Sequence, residues 1–130
     1  MIRLKPGTGV NLDNVHPRIY LAIGFAGPIW AQYGSPDLWL TAANEAGHGT
    51  GARGFHRLPD GTCRAVDLRT WTIPAPADRR RARDELAVVL GPLYDVLFED
   101  EVRDPTTGKV LRGEHIHLQF DEDRPGTATA

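Results

Sequence analysis

The stretch GFHRLPDGTCRAVDLR, residues 54–69, predicts a β-hairpin. Two short apolar runs flank a turn at 59–62, whose central Asp-Gly is a strong signal for a two-residue loop. In this register His56 lies opposite Ala65, and Asp67 lies one diagonal step away on the same face. An imidazole and a carboxylate are therefore expected to converge, although a slip of one residue would turn them to opposite faces.

A second predicted strand carries two histidines on one side. Glu114 to Phe120 contains His115 and His117 two positions apart, and this spacing directs both side chains to the same face of a strand. Together with His56 and Asp67 they supply three or four nitrogen and oxygen donors. Catalytic zinc usually has three protein ligands and one open position. The donor set therefore predicts a Zn²⁺ site.

Apolar periodicity predicts the remaining elements. They are helices over Pro17 to about Tyr33, bent or broken near Gly27 and Pro28, and over Asp78 to Leu90, and strands over Leu38 to Thr41 and Tyr94 to Glu99. Asp78 is expected to cap the second helix, and a turn at 104–109 separates the last two strands. We expect one α+β domain over residues 1–130, with a small antiparallel sheet, flanking helices and a frayed tail at 121–130.

Composition and charge argue against several classes of partner. The chain has 15 basic and 17 acidic side chains and a net charge of -2, so no positive field exists to attract nucleic acid. The cluster Arg79, Arg80, Arg81 and Arg83 is typical of a solvated helix face. Because Cys63 is alone, a cysteine-rich structural zinc site is excluded. No apolar run suits a signal peptide or a membrane span, and we expect a monomer that is cytoplasmic as synthesised.

The order of these motifs resembles the D-alanyl-D-alanine metallopeptidase and hedgehog superfamily. The residues that carry the resemblance are His56 to Arg69 and His-Ile-His-Leu-Gln-Phe at 115–120, and they are most similar to the small phage-type members. The resemblance covers about residues 38–121 and implies the corresponding α+β fold. It further implies zinc on His56, Asp67 and His117.

The same resemblance implies roles for two more histidines. His115 is expected to orient the site or a substrate oxygen, and His48 has an auxiliary role at most. The chain also departs from the family pattern. Ten residues separate His56 from Asp67, more than is usual, and Gly54 replaces the family's serine. The arginine often found near positions 44–45 is absent as well, so substrate contacts are expected to differ.

The resemblance implies an activity. The expected reaction is zinc-dependent hydrolysis of a peptide bond in the stem or cross-link peptides of peptidoglycan, by a D-Ala-D-Ala carboxypeptidase or an endolysin-type endopeptidase. Such an enzyme acts at the cell wall once it is delivered there. The alternative is a non-catalytic zinc-binding domain of a virion or cell-wall-binding protein, which Gly54 and the missing arginine favour.

Two glutamates compete for the role of the catalytic carboxylate. Glu114 has the Glu-x-x-His spacing of the dipeptidase branch, and Glu99 ends the preceding strand as in the hedgehog branch. In a regular strand Glu114 faces away from His117, so this choice requires a bulge, which Gly113 would allow. The sequence favours Glu114, because its separation from the ligand does not depend on the long intervening loop.

Overall fold

The structure is a computed structural model that describes residues 1–43 and 62–121. Its elements are β1 (Ile2–Leu4), α1 (Pro17–Gln32), β2 (Leu38–Ala42), β3 (Ala65–Arg69), α2 (Pro76–Leu90), β4 (Tyr94–Glu99), β5 (Val102–Arg103), β6 (Val110–Arg112) and β7 (His115–Phe120). Over these ranges the strands form a five-stranded sheet in the order β1-β2-β3-β7-β4 and a separate β5-β6 ribbon. The predicted α+β class is confirmed.

The main sheet is mixed, which corrects the expectation of an antiparallel one. Strand β1 runs parallel to β2, with Ile2 opposite Leu38, whereas the other pairs in this sheet are antiparallel. Sequence patterning missed β1 because it is only three residues long and exposed throughout, with no alternation of burial. A polar contact supports this edge, since Arg3 Nε donates a hydrogen bond to Asp37 Oδ2 at 2.8 Å.

Helix α1 runs without interruption through Pro28, where a bend or break was predicted. Proline inside a helix removes one hydrogen bond and costs about 3 kcal/mol. Buried residues precede and follow Pro28 along the helix, namely Ile19, Ala22, Ile23, Ala26, Ile29 and Trp30. Packing of this face outweighs the local cost of the proline. The helix begins at Pro17, and His16 Nδ1 accepts a hydrogen bond from the Arg18 backbone N–H at 3.1 Å.

The start of α2 also differs from the prediction. The helix begins at Pro76 with Ala75 in the capping position, so Asp78 lies in the first turn instead of capping it. Proline suits the first helical position because its missing N–H has no helical partner there. An acidic residue in the first turn still interacts favourably with the helix dipole.

The first half of the predicted hairpin, residues 54–61, lies outside the described residues. Its second strand corresponds to β3, which begins at Ala65 and not at Cys63. The backbone of Cys63 instead forms hydrogen bonds with residues that immediately precede α1. Its N–H donates to Asn14 O at 2.9 Å, and its carbonyl accepts from His16 N–H at 2.8 Å.

One face of the sheet packs against both helices. Helix α1 contacts β7 and β2, while α2 contacts β4 and α1. The sheet residues of this core alternate along the strands and are Leu38, Leu40, Val66, Leu68, Tyr94, Val96, Ile116, Leu118 and Phe120. Because side chains alternate, the intervening residues lie on the opposite face of the sheet. No helix in the described ranges has the length and apolar character needed to cross a membrane.

Replacing Leu118 with alanine is expected to lower the free energy of unfolding by about 2–5 kcal/mol. Leu118 is fully buried at the centre of β7, between Val66 of β3 and Val96 of β4, so truncation leaves a cavity. Urea unfolding followed by circular dichroism measures the change. The matched control is Leu21→Ala on α1, where the side chain is 51% exposed and a change below about 1 kcal/mol is expected. Equal losses in the two variants would contradict this assignment of the core.

Candidate active site

The candidate site lies on the sheet face opposite the helices. Strand β3 places Asp67 directly across from His117 of β7, and Arg69 directly across from His115. On the other side of β7, Glu99 of β4 is also opposite His115. Cross-strand register therefore gathers side chains that are distant in sequence.

Asp67 and His117 form the first of two imidazole–carboxylate pairs. His117 Nδ1 lies 3.1 Å from Asp67 Oδ1, and the residue is only 8% exposed. Its other nitrogen, Nε2, lies 3.1 Å from the side-chain oxygen of Gln119. The oxygen at Nε2 holds a proton on that nitrogen, so once Nδ1 has lost its own proton its lone pair is able to bind a metal.

The same surroundings raise the pKa of His117 above its ordinary value of 6.5. Burial of the ring disfavours the charged form and by itself lowers the pKa. Hydrogen bonds to Asp67 and Gln119, with the negative charges of Asp67 and Glu99, together outweigh that effect. The metal-free ring is therefore held more strongly in its protonated form than a free histidine.

We expect His117 in the metal-free protein to titrate above pH 6.5, in the direction that its surroundings impose. The resulting stabilisation is complete below the pKa of the unfolded chain and is lost as the pH rises through the higher folded pKa. NMR titration of the imidazole C–H signals, after chelation of metals, measures the midpoint. Asp67→Asn removes the charged partner of His117 and is expected to lower the midpoint of the titration. An unchanged midpoint in that variant would contradict the coupling between Asp67 and His117.

His115 and Glu99 form the second pair. His115 Nδ1 lies 2.8 Å from the Gly113 carbonyl oxygen, which only accepts, so Nδ1 carries a hydrogen. Its Nε2 lies 2.5 Å from Glu99 Oε2, a contact that requires one proton between the two atoms. The same Nε2 is 3.9 Å from Asp67 Oδ2. His115 thus lies between the two carboxylates and connects the two pairs.

Glu114, which the sequence favoured as the catalytic carboxylate, has other partners. The hydroxyl of buried Thr70 donates a hydrogen bond to Glu114 Oε1 at 2.5 Å, and Arg79 Nη1 is 3.5 Å from the same oxygen. The register of β7 with both neighbours is regular from His115 onward, and Glu114 precedes the strand. The bulge that would turn Glu114 toward His117 is therefore not found within β7.

The remaining predicted site residues, His56 and His48, lie outside the described residues. Over residues 1–43 and 62–121, no group of three or more metal-binding side chains surrounds a common point. Two of the three predicted zinc ligands, Asp67 and His117, are described, and the distance between their donor atoms can be compared with that around a zinc ion. A tetrahedral zinc holds neighbouring nitrogen and oxygen ligands roughly 3.2–3.5 Å apart. The 3.1 Å between Asp67 Oδ1 and His117 Nδ1 is close to that separation.

A cavity of about 440 Å³ adjoins the two pairs. Its lining includes Asp67 and His115 together with Glu114, Arg69 and Trp71. The sequence did not single out Arg69, although its position two residues after Asp67 places it on the same face of a strand. Trp71 follows the end of β3, where strand periodicity gave no signal for it. The cavity provides room for a ligand beside Asp67 and His115, which are one member of each pair.

These side chains can hold a divalent cation and move protons, because carboxylates and imidazoles serve both purposes. The Asp67–His117 pair and the Glu99–His115 pair are adjacent on β7. Comparisons with protein-family models, with curated proteins and with solved structures found no match to the chain.

Proposed function

We propose that the chain is a zinc-dependent peptidase that hydrolyses a peptide bond in the stem or cross-link peptides of peptidoglycan. The observation that carries this proposal is the cross-strand pairing of Asp67 with His117 beside the Glu99–His115 pair. The sequence resemblance supplies the substrate class and the finer fold assignment, that of D-Ala-D-Ala metallopeptidases and hedgehog domains. A sheet covered by helices on one face, with the site on the other, is compatible with that assignment.

Three side chains would hold the zinc: Asp67, His117 and, from the sequence motif, His56. Two neutral imidazoles and one carboxylate leave the site with a net positive charge. When bound, zinc supplies Lewis-acid polarisation of water and of the substrate carbonyl. Gln119 accepts the Nε2 hydrogen of His117 and so fixes the tautomer and orientation of that ligand.

Glu99 is the general base in this proposal. Its carboxylate takes a proton from the attacking water, and the same proton then passes to the nitrogen of the departing amine. His115 positions this carboxylate through the 2.5 Å contact, and the Gly113 carbonyl in turn fixes the His115 ring. Glu99 is also partly exposed, with 36% of its side chain accessible, so water and substrate can reach it.

Metal analysis combined with a peptidoglycan digest tests the function. The protein is purified without a histidine tag, its zinc content is measured by mass spectrometry, and peptides released from peptidoglycan are identified. We expect about one zinc per chain and new peptide termini, and neither in His117→Ala prepared in parallel. Zinc and wall binding without new termini would instead support a non-catalytic binding domain. Absence of zinc from the wild-type protein would overturn the proposal.

A further inference from the structure

Arg69 is held at the cavity by two indole rings. Its guanidinium carbon lies 4.5 Å from the ring centroid of Trp71 and 5.0 Å from that of Trp39, both within the range of cation–π contact. Such contacts use the flat face of the guanidinium and leave its N–H edge for a ligand. Arg69 thus presents a fixed set of donors beside Asp67 and His115.

One nitrogen of the Arg69 guanidinium group has no hydrogen-bond partner among the described residues. In the described part of the chain, Arg69 Nε is the buried side-chain nitrogen that has no hydrogen-bond partner. Within the same residues Arg69 has no carboxylate partner, in contrast to Arg64, which lies 3.5 Å from Asp121. A buried, unpaired donor is unfavourable, and a charged acceptor relieves that cost. Burial also lowers the pKa of Arg69, which reflects the same loss of solvent.

The charged side chains around the cavity favour an anionic ligand. Lys5 and Arg112 line it together with Arg69, and the acidic side chains of the lining are Asp67 and Glu114. Among the described residues of the lining, the cationic side chains thus outnumber the carboxylates, and one carboxylate, Glu114, already lies 3.5 Å from Arg79. A planar carboxylate fits the N–H edge of a guanidinium through two parallel hydrogen bonds.

Arg69 lies on the same strand as Asp67, which belongs to one of the two proposed catalytic pairs. Arg69 is two residues beyond Asp67, about 6.7 Å along a strand. One peptide residue spans about 3.8 Å between α-carbons, and the arginine side chain can cover the remainder. From these spacings we expect an anionic group on Arg69 to lie about one residue beyond a peptide bond placed at Asp67 and His117.

We propose that Arg69, assisted by Lys5 and Arg112, binds the C-terminal carboxylate of the peptide substrate. This inference rests on the proposed function and deepens it, because a carboxylate one residue beyond the cleaved bond defines a carboxypeptidase. An endopeptidase would require the chain of the substrate to continue past Arg69. Arg69 is thus the residue that determines where on the peptide the enzyme cuts.

A binding titration tests the subsite without relying on hydrolysis. The full chain is titrated with N-acetyl-D-alanine and with its carboxamide, and tryptophan fluorescence is recorded because Trp39 and Trp71 contact the guanidinium. We expect the carboxylate to bind at least tenfold more tightly than the carboxamide. Arg69→Gln is expected to abolish this preference, and Arg69→Lys to retain part of it. Equal affinities in the wild-type protein, or an unchanged preference in Arg69→Gln, would overturn the proposal.

The matched control is Arg80→Gln, which removes the same charge from an exposed side chain of α2 that pairs with Asp100. It is expected to bind within twofold of wild type, and circular dichroism confirms that each variant is folded. Failure of the proposed function gives a different pattern: a carboxylate preference that depends on Arg69, with neither zinc nor hydrolysis. Hydrolysis that proceeds while Arg69→Gln binds like wild type would reject the subsite and keep the peptidase.

Discussion

His117→Ala is expected to lower zinc affinity by at least 100-fold and to abolish zinc-dependent hydrolysis. Loss of a hydrogen-bond partner behind a metal ligand typically costs 10–100-fold in affinity, and loss of the ligand itself removes a direct bond to the metal. His117 is buried on β7 with Nδ1 at 3.1 Å from Asp67, whereas His115, the other imidazole on that side of the strand, contacts Glu99. Competition with a calibrated zinc chelator measures the affinity.

Gln119→Leu provides the graded control for that experiment. It removes only the oxygen that accepts the Nε2 hydrogen of His117, and an affinity loss of about 10–100-fold is expected. His56→Ala is expected to match His117→Ala, because the sequence motif makes both direct ligands. If His117→Ala retained stoichiometric zinc after dialysis, Asp67 and His117 would be a structural pair and not a metal site.

The sequence was most informative where a pattern extended over several residues. The ranges of β2, β4 and α1 follow their predictions closely, because each carries a periodic apolar face that the fold buries. Strand alternation alone predicts that His115 and His117 lie on the same face of β7. Strand β1 lacked such a signal, and its parallel pairing depends on β2, which is distant in sequence.

The partners of the candidate site were less predictable, since they depend on the order of strands in the sheet. Spacing along the chain favoured Glu114, yet β4 pairs with β7 in a register that places Glu99 opposite His115. Glu114 instead lies beside Thr70, at the end of β3. The position of Arg69 between two indoles likewise depends on Trp39 and Trp71, which lie on separate segments.

Glu99→Gln is expected to lower the rate of hydrolysis by about 10²–10⁴-fold while zinc remains bound. Glutamine preserves the size of the side chain and can still hydrogen-bond to His115, but it cannot accept the proton of the attacking water. Glu99 is the carboxylate in contact with His115, at 2.5 Å, and it lies on β4, outside the proposed ligand set. Zinc content and peptide release are measured on the same preparation, so that loss of activity can be separated from loss of metal.

Glu114→Gln is the matched comparison, because both variants change one glutamate of the same region to its amide. Its side-chain oxygen would still accept the Thr70 hydrogen bond, so the fold is retained and a change below about tenfold in rate is expected. The opposite pattern, with full activity in Glu99→Gln and a loss of 100-fold or more in Glu114→Gln, would return the catalytic role to Glu114. That outcome would require Glu114 to leave Thr70 and Arg79 when substrate enters the cavity that Glu114 lines.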